Sequence, residues 1–294
     1  MKVAEQIEQQ ASQVNEGVAK VGNDVSLGIH HAILAGGEPT RKIADFLHGT
    51  WLGHPLHPVL TDFTIGAWAM GAAFDLAGGL TNSDSFRQTG DRLTTAGVVC
   101  AVPTALTGLV DFSTFPEETA KTVTWHGMLN VVNFGLFAMS VRERRRGNRG
   151  RGLIFSTIGL GLTAVSAWLG GHLVYKQQFG VNHADTFDKP RQWKPVLRAD
   201  ELHDRDPHRV EVDGKGVLLY RDGDNLYAIG SVCSHAGGPL EQGRFQGSCV
   251  QCPWHDSVFD MSDGSIVHGP ATNPQPHFET RVHDGQIEIR LPEE

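Results

Sequence analysis

Cys233-Ser234-His235-Ala236-Gly237-Gly238-Pro239-Leu240 and Cys252-Pro253-Trp254-His255-Asp256-Ser257-Val258-Phe259-Asp260 are the two stretches that decide the reading of this chain. Each brings one thiolate and one imidazole to a single loop. Two thiolates and two neutral imidazoles suit a [2Fe–2S] cluster in which the cysteines hold one iron and the histidines the other. That ligand mixture raises the reduction potential above that of an all-cysteine cluster. Structural zinc also takes two Cys and two His. Its ligands run as a Cys pair followed by a His pair, whereas here each loop holds one of each.

Gly269-Pro270-Ala271 follows at a distance that suits a wall over such a cluster. With these residues, the chain from about residue 191 onward resembles the Rieske ferredoxin domain. The resemblance implies that Cys233 and Cys252 bind the buried iron and that His235 and His255 bind the exposed one. It implies that Gly237, Gly238 and Pro239 shape the first loop, and that Gly269 and Pro270 cover the cluster. Three departures bear on the potential. Asp256 stands where the family usually has glycine, Phe259 lacks a tyrosine hydroxyl, and the loops lack the two further cysteines of the high-potential proteins. The expected site is ferredoxin-like, of low to intermediate potential. Cys249 is expected to be a buried strand residue.

The 294 residues suffice for two domains, and four cysteines leave no disulfide framework. A net charge of −8 gives no reason to expect nucleic-acid binding. Apolar stretches run over about 58–79, 93–111, 125–141 and 153–175, each near the ~20 residues that cross a bilayer core. They are rich in Gly, Ala, Ser and Thr, which lets helices approach closely in lipid. A soluble four-helix bundle is the alternative, but Gly66, Gly71, Gly159, Gly161 and Pro103 are poor choices for soluble helix interiors. The first fifty residues read as amphipathic helix at the membrane surface or against the bundle, with no cleavable signal.

Leu47-His-Gly-Thr-Trp-Leu-Gly-His-Pro-Leu-His-Pro-Val-Leu-Thr-Asp62, Gly108-Leu-Val-Asp-Phe112, His126 with Asn130, and Gly170-Gly-His-Leu-Val-Tyr175 share a further likeness. Residues 45–182 resemble a predicted four-helix bacterial membrane domain of unknown function. The expected fold class is α + β in two domains: a four-transmembrane-helix bundle followed by a small antiparallel β Rieske domain. The boundaries expected are 1–50 amphipathic helical segment, 51–176 membrane domain, 177–192 linker and 193–294 Rieske domain.

Four spans put both chain ends on one side. Arg142, Arg144, Arg145, Arg146, Arg149 and Arg151 crowd the loop between the third and fourth stretches, with Arg87 and Arg92 on the same side. The opposite loop carries Asp111, Glu117 and Glu118 against Lys121. The positive-inside rule places the arginine loop in the cytoplasm and the Rieske domain outside a bacterial inner membrane crossed several times. His54, His57, His126 and His172, with Asp62, fall at the ends of spans on the Rieske side. A second centre there, holding haem b, another metal or a quinone, stands against ordinary interhelical hydrogen bonding.

The expected function is a membrane-anchored one-electron carrier that exchanges electrons with a redox partner protein, a quinone or both. A redox sensor, or the electron-supplying component of a separate oxygenase or reductase, is the alternative. A self-contained oxygenase needs a further facial triad in a large downstream domain, and 39 residues follow His255. The chain is thus read as an electron-transfer protein rather than a self-contained catalyst, with oligomeric state open.

Overall fold

The computed structural model describes Lys2–Glu293, with side chains from Asn15 onward. The chain separates into two compact units. One comprises Met1–Ala35 and Leu56–Phe179, the other Gly36–Pro55 and Gly180–Glu294.

The first unit is helical: α1 (Lys2–Ala35), α3 (Leu56–Thr81), α4 (Asp84–Phe112), α5 (Ala120–Arg145) and α6 (Arg149–Tyr175). Ser83 caps α4 by accepting from the Phe86 N–H at 3.4 Å. Among the described residues three helices, α3, α4 and α6, are long and apolar enough to cross a membrane. The fourth apolar stretch expected from the sequence, on α5, does not reach that measure. Helix α5 falls short because Asn130 and Asn133 interrupt its apolar run and Arg142, Arg144 and Arg145 end it. Helix α1 lies along α5, where Trp125 Nε1 donates to Asn15 Oδ1 at 3.1 Å.

Helices α3–α4 and α5–α6 form two hairpins with the same internal contacts. His57 Nδ1 donates to the Thr104 carbonyl at 2.9 Å, and His126 Nδ1 donates to the Ser166 carbonyl at 3.0 Å. Trp68 packs on Gly97, where a methyl group would stand 2.3 Å from the indole. Phe137 packs on Gly159, where the corresponding distance is 2.8 Å. Asp75 abuts Gly90 and Arg144 abuts Gly152. From α3 to α5 each counterpart lies 69 positions on, and from α4 to α6 each lies 62 positions on. In that register His57/His126, Leu60/Leu129, Gly66/Gly135, Ala69/Ala138 and Met70/Met139 are identical. So are Gly90/Gly152, Thr95/Thr157, Gly97/Gly159, Ala105/Ala167 and Gly108/Gly170. Helices α3–α4 and α5–α6 are therefore two copies of one hairpin. Two helices per repeat restore the chain direction, so the halves are related about an axis running along the bundle rather than across it.

Equivalent residues meet on that axis. Trp68 and Phe137 stack with centroids 3.8 Å apart and planes 3° from parallel. Seven residues further, Arg144 Nη2 reaches Asp75 Oδ2 at 2.6 Å. Arg144 also bonds Asp91, Ser140 and Ser156, and Arg149 bonds both aspartates. Arg144 thus satisfies the buried Asp75 carboxylate and the half-buried Asp91 instead of standing free in the arginine loop.

The second unit is mostly antiparallel β. Its strands are β1 (Lys194–Arg198), β2 (His208–Val212), β3 (Lys215–Asp222), β4 (Asn225–Gly230), β5 (Arg244–Gln246), β6 (Cys249–Gln251), β7 (Val258–Asp260), β8 (Ile266–His268), β9 (His277–His283) and β10 (Gln286–Arg290). They form a sheet in the order β1-β10-β9-β4-β3-β2 and a smaller one, β5-β6-β7-β8. Asp213-Gly214 and Asp284-Gly285 turn two of the hairpins with positive φ at both residues. That geometry matches the twist of the strands they join, and Asp-Gly tolerates it. Leu218, Ile229, Val250 and Phe259 form the core beside the two loops, all with no exposure.

Residues 183–190 are fastened to this β unit rather than hanging as a free tether. The His183 N–H bonds the Ser234 carbonyl, the Pro190 carbonyl accepts from Leu291, and Phe187 meets Phe278 edge-on at 5.0 Å. Helix α2 (Gly37–His48) belongs to the same unit.

Candidate metal centre

The first loop leaves β4 and turns through Cys233–Pro239. Cys233 N–H bonds the Gly238 carbonyl and Gly237 N–H bonds the Cys233 carbonyl. The second loop links β6 to β7, with Cys252 N–H on the Ser257 carbonyl and Asp256 N–H on the Cys252 carbonyl. These short bonds turn both Cys-His pairs into compact knuckles at one end of the β unit.

Cys233 and Cys252 are buried and share a hydrogen bond between their sulfurs. That bond pulls the Cys252 thiol down to about 7, with further help from the Trp254 and His255 N–H groups. The same bond pushes Cys233 well up, and burial adds to it. The imidazoles of His235 and His255 are half-buried, 4.9 Å apart between centroids and nearly perpendicular at 87°. Two sulfurs on one side and two rings on the other suit a binuclear centre with two protein ligands per iron. Among the described residues no three Cys, His, Asp or Glu side chains converge on one ion position. A mononuclear zinc site would require such a set. Gly238 also fits a cluster cradle, since a methyl there would stand 2.8 Å from Cys252 Sγ and 3.1 Å from the Trp254 ring. Cys249 proves half-buried rather than buried, and all four cysteines are free thiols.

The covering loop is the cis Gly269-Pro270. Ala271 N–H donates to the Ser257 hydroxyl at 3.0 Å, which ties this loop to the second ligand loop. On its other side it is held by α2. Asp45 accepts from Gly269 N–H and from His268 Nδ1, both at 2.8 Å. Arg41 donates to the Asp256 carbonyl at 3.4 Å. None of Arg41, Asp45, Ser257 and His268 was expected from the sequence. His268 adjoins Gly269-Pro270, but no spacing links it to Asp45, 223 residues away. Asp45→Ala is expected to cost about 1–3 kcal/mol by stranding the Gly269 N–H. Faster proteolysis within α2 would report it, and an unchanged cleavage rate would refute the clip.

Asp256 adopts φ of 62°, the left-handed region that glycine enters freely and Asp tolerates best among other residues. Its carboxylate is bonded by Gln251 Nε2 and its charge is felt at Cys252. Removing a negative charge favours the reduced, more negative centre. Asp256→Gly and Asp256→Asn are both expected to raise the midpoint potential. Only glycine should also raise the melting temperature, by relieving about 1 kcal/mol of backbone strain. A voltammetric titration with no shift for Asn would show that Gln251 screens the charge.

The second set proposed from sequence does not gather as one site. His57 and His126 serve as hairpin contacts of α3 and α5, and His172 lies against Trp168 at 5.5 Å. His54 belongs to the other unit and bonds its neighbour Pro55. Asp62 is exposed on α3.

Residues 53–183 match the family described as a predicted membrane protein (DUF2231), and residues 192–279 match the Rieske [2Fe-2S] domain. The anthranilate 1,2-dioxygenase ferredoxin subunit of Burkholderia cepacia is 31% identical over 34% of this chain and 93% of its own length. Ferredoxin CarAc of Metapseudomonas resinovorans is 31% identical over 33% of this chain and 92% of its own. Among solved structures, the ferredoxin of carbazole 1,9a-dioxygenase from Nocardioides aromaticivorans shares 32% identity, covering 35% of this chain and 99% of that one, with a TM-score of 0.32. The chain belongs to the Rieske [2Fe-2S] family, and carries that domain behind a DUF2231 membrane domain.

Proposed function

We propose that this protein is a membrane-anchored one-electron carrier whose Cys233, Cys252, His235 and His255 hold a [2Fe–2S] cluster. The pairing of two buried thiols with two adjacent imidazoles carries the reading. When bound, the cluster supplies a one-electron redox couple. The chain's own residues set its terms. N–H groups of His235 and Ala236 point at the Cys233 sulfur and those of Trp254 and His255 at the Cys252 sulfur, which stabilises negative charge there. Half-buried imidazoles beside Trp254, which is 54% exposed, give a partner an apolar place to dock and a short path for the electron.

Both named relatives are ferredoxins, one of them a subunit of a dioxygenase, which supports a separate redox protein, such as an oxygenase or reductase component, as the partner. A lipid bilayer holds the helical part. Helix α5 is proposed as the fourth span because it repeats α3, with Asn133 turned inward to donate to Thr163 Oγ1 at 2.8 Å. With Arg144 and Arg149 bound to carboxylates, Arg142, Arg145, Arg146 and Arg151 still outweigh the acidic opposite loop. The Rieske domain is therefore placed outside the inner membrane.

Low-temperature EPR of the detergent-purified, dithionite-reduced protein tests the cluster. A Rieske-type rhombic signal is expected, and its absence from iron-loaded protein would refute the reading. Alkaline phosphatase and green fluorescent protein fused in turn to the C-terminus test the side. Active phosphatase with dark fluorescence is expected.

A further inference from the structure

We infer that His57 and His126 are the axial ligands of a b-type haem, bound on the two-fold axis of the duplicated hairpins. The electron-carrier reading gives this site its role, but the site stands on its own geometry.

The duplication selects the pair. His57 and His126 are equivalent, whereas His172 corresponds to Val110, His54 to Val123 and Asp62 to Val131. Positions 57, 64, 68, 71 and 75 of α3 recur at near-helical intervals and so share one face. Two of them, Trp68 and Asp75, demonstrably meet their counterparts across the axis. The histidines lie on the same face, eleven residues before Trp68 and Phe137, or ~16 Å along the helices.

The ring orientation is what ligation requires. A carbonyl only accepts, so each Nδ1 carries the proton that it donates to Thr104 or Ser166. That leaves each Nε2 as the nitrogen turned away from the neighbouring backbone and open to a ligand. Asn130 Nδ2 lies 3.0 Å from His126 Nε2 and donates to it, so iron binding there displaces one amide hydrogen bond. Gly108 and Gly170 sit against the rings at equivalent places, and their missing side chains let each imidazole lie flush on the neighbouring helix.

The ligand count selects the occupant. Zinc or copper needs three or four protein donors, and among the described residues no third donor joins these two histidines. An iron porphyrin brings four nitrogens of its own and asks the protein for one or two axial ligands, here two imidazoles. One-electron exchange between ferric and ferrous iron needs no proton or co-reactant.

The full-length protein, expressed with a haem precursor and purified in detergent, is examined by reduced-minus-oxidised absorption and haem quantitation. Apoprotein is titrated with hemin in parallel. One haem per chain is expected, low-spin in EPR and unreactive to carbon monoxide because both axial positions are filled. His57→Ala and His126→Ala should each lose it at least tenfold in affinity, whereas His172→Ala and Asp62→Asn retain it. No haem by either route, carbon monoxide binding by the wild type, or full haem in both histidine variants would overturn the assignment. The wild-type spin state and carbon monoxide test stand even if a variant fails to fold. A retained Rieske signal without haem sinks this site alone, and a lost Rieske signal with haem present sinks the carrier reading alone.

Discussion

Cys252→Ser is expected to abolish the [2Fe–2S] signal, while His255→Cys keeps iron but changes its character. The serine hydroxyl is a hard donor that does not ionise near neutral pH, whereas a cysteine supplies the soft thiolate that a cluster iron takes. Without that thiolate, one iron keeps only Cys233. His255→Cys replaces a neutral ligand by an anionic one, which lowers the potential and moves the spectrum towards that of an all-cysteine cluster. Cys249→Ser serves as the control, because Cys249 lies on β6 outside both ligand loops. The check is the reduced EPR spectrum with iron and sulfide quantitation of each variant. A wild-type spectrum from Cys252→Ser would reject the ligand set outright.

The largest expected loss of stability lies in the membrane unit. The side chains of Arg144 and Asp75 are 3% and 7% exposed. Asp75→Ala leaves two arginines, Arg144 and Arg149, to share Asp91. Removing one partner of a buried pair costs about 3–5 kcal/mol because the other charge stays desolvated. Asp75→Leu combined with Arg144→Leu should recover much of that, since apolar residues of similar volume often replace a buried pair without loss. Arg149 and Asp91 then remain as a pair. Thermal unfolding in detergent separates the cases. A single variant within about 0.5 kcal/mol of wild type would show the network to be dispensable.

The β unit was legible because its signals are local. Cys-x-His and Cys-x-x-His each close within one loop, and Asp213-Gly214 and Asp284-Gly285 carry their own turn geometry. Gly269 and Pro270 were readable as a covering loop for the same reason. What holds that loop was not. Asp45 reaches it from a helix more than two hundred positions earlier, and nothing about an aspartate in an amphipathic helix marks it as a clip.

The helical unit shows the opposite balance. Its apolar runs announced membrane helices, yet α5 was counted with the rest although its interior carries asparagines that only a partner helix satisfies. Asp75 and Arg144 looked unrelated, one a lone acid and the other part of a topogenic cluster. The 69-position register makes them the same position in two copies of one hairpin, and the fold brings them into contact. The duplication is written in eleven identical pairs, Arg87/Arg149 among them, but the registers of the two helix pairs differ, 69 in one and 62 in the other. A single offset therefore aligns only half of them.

By itself, then, the sequence determined the chemistry of the cluster loops and the partition into apolar helices and short strands. Both follow from residue types and near-neighbour spacing, which act through covalent geometry and hydrophobic periodicity. Tertiary structure alone decided which polar groups in the helices face one another, which histidines are equivalent, and what fastens the covering loop. Those depend on closing long stretches of chain, where the free energy of contact is set by the packing of helices and sheets and leaves no local trace.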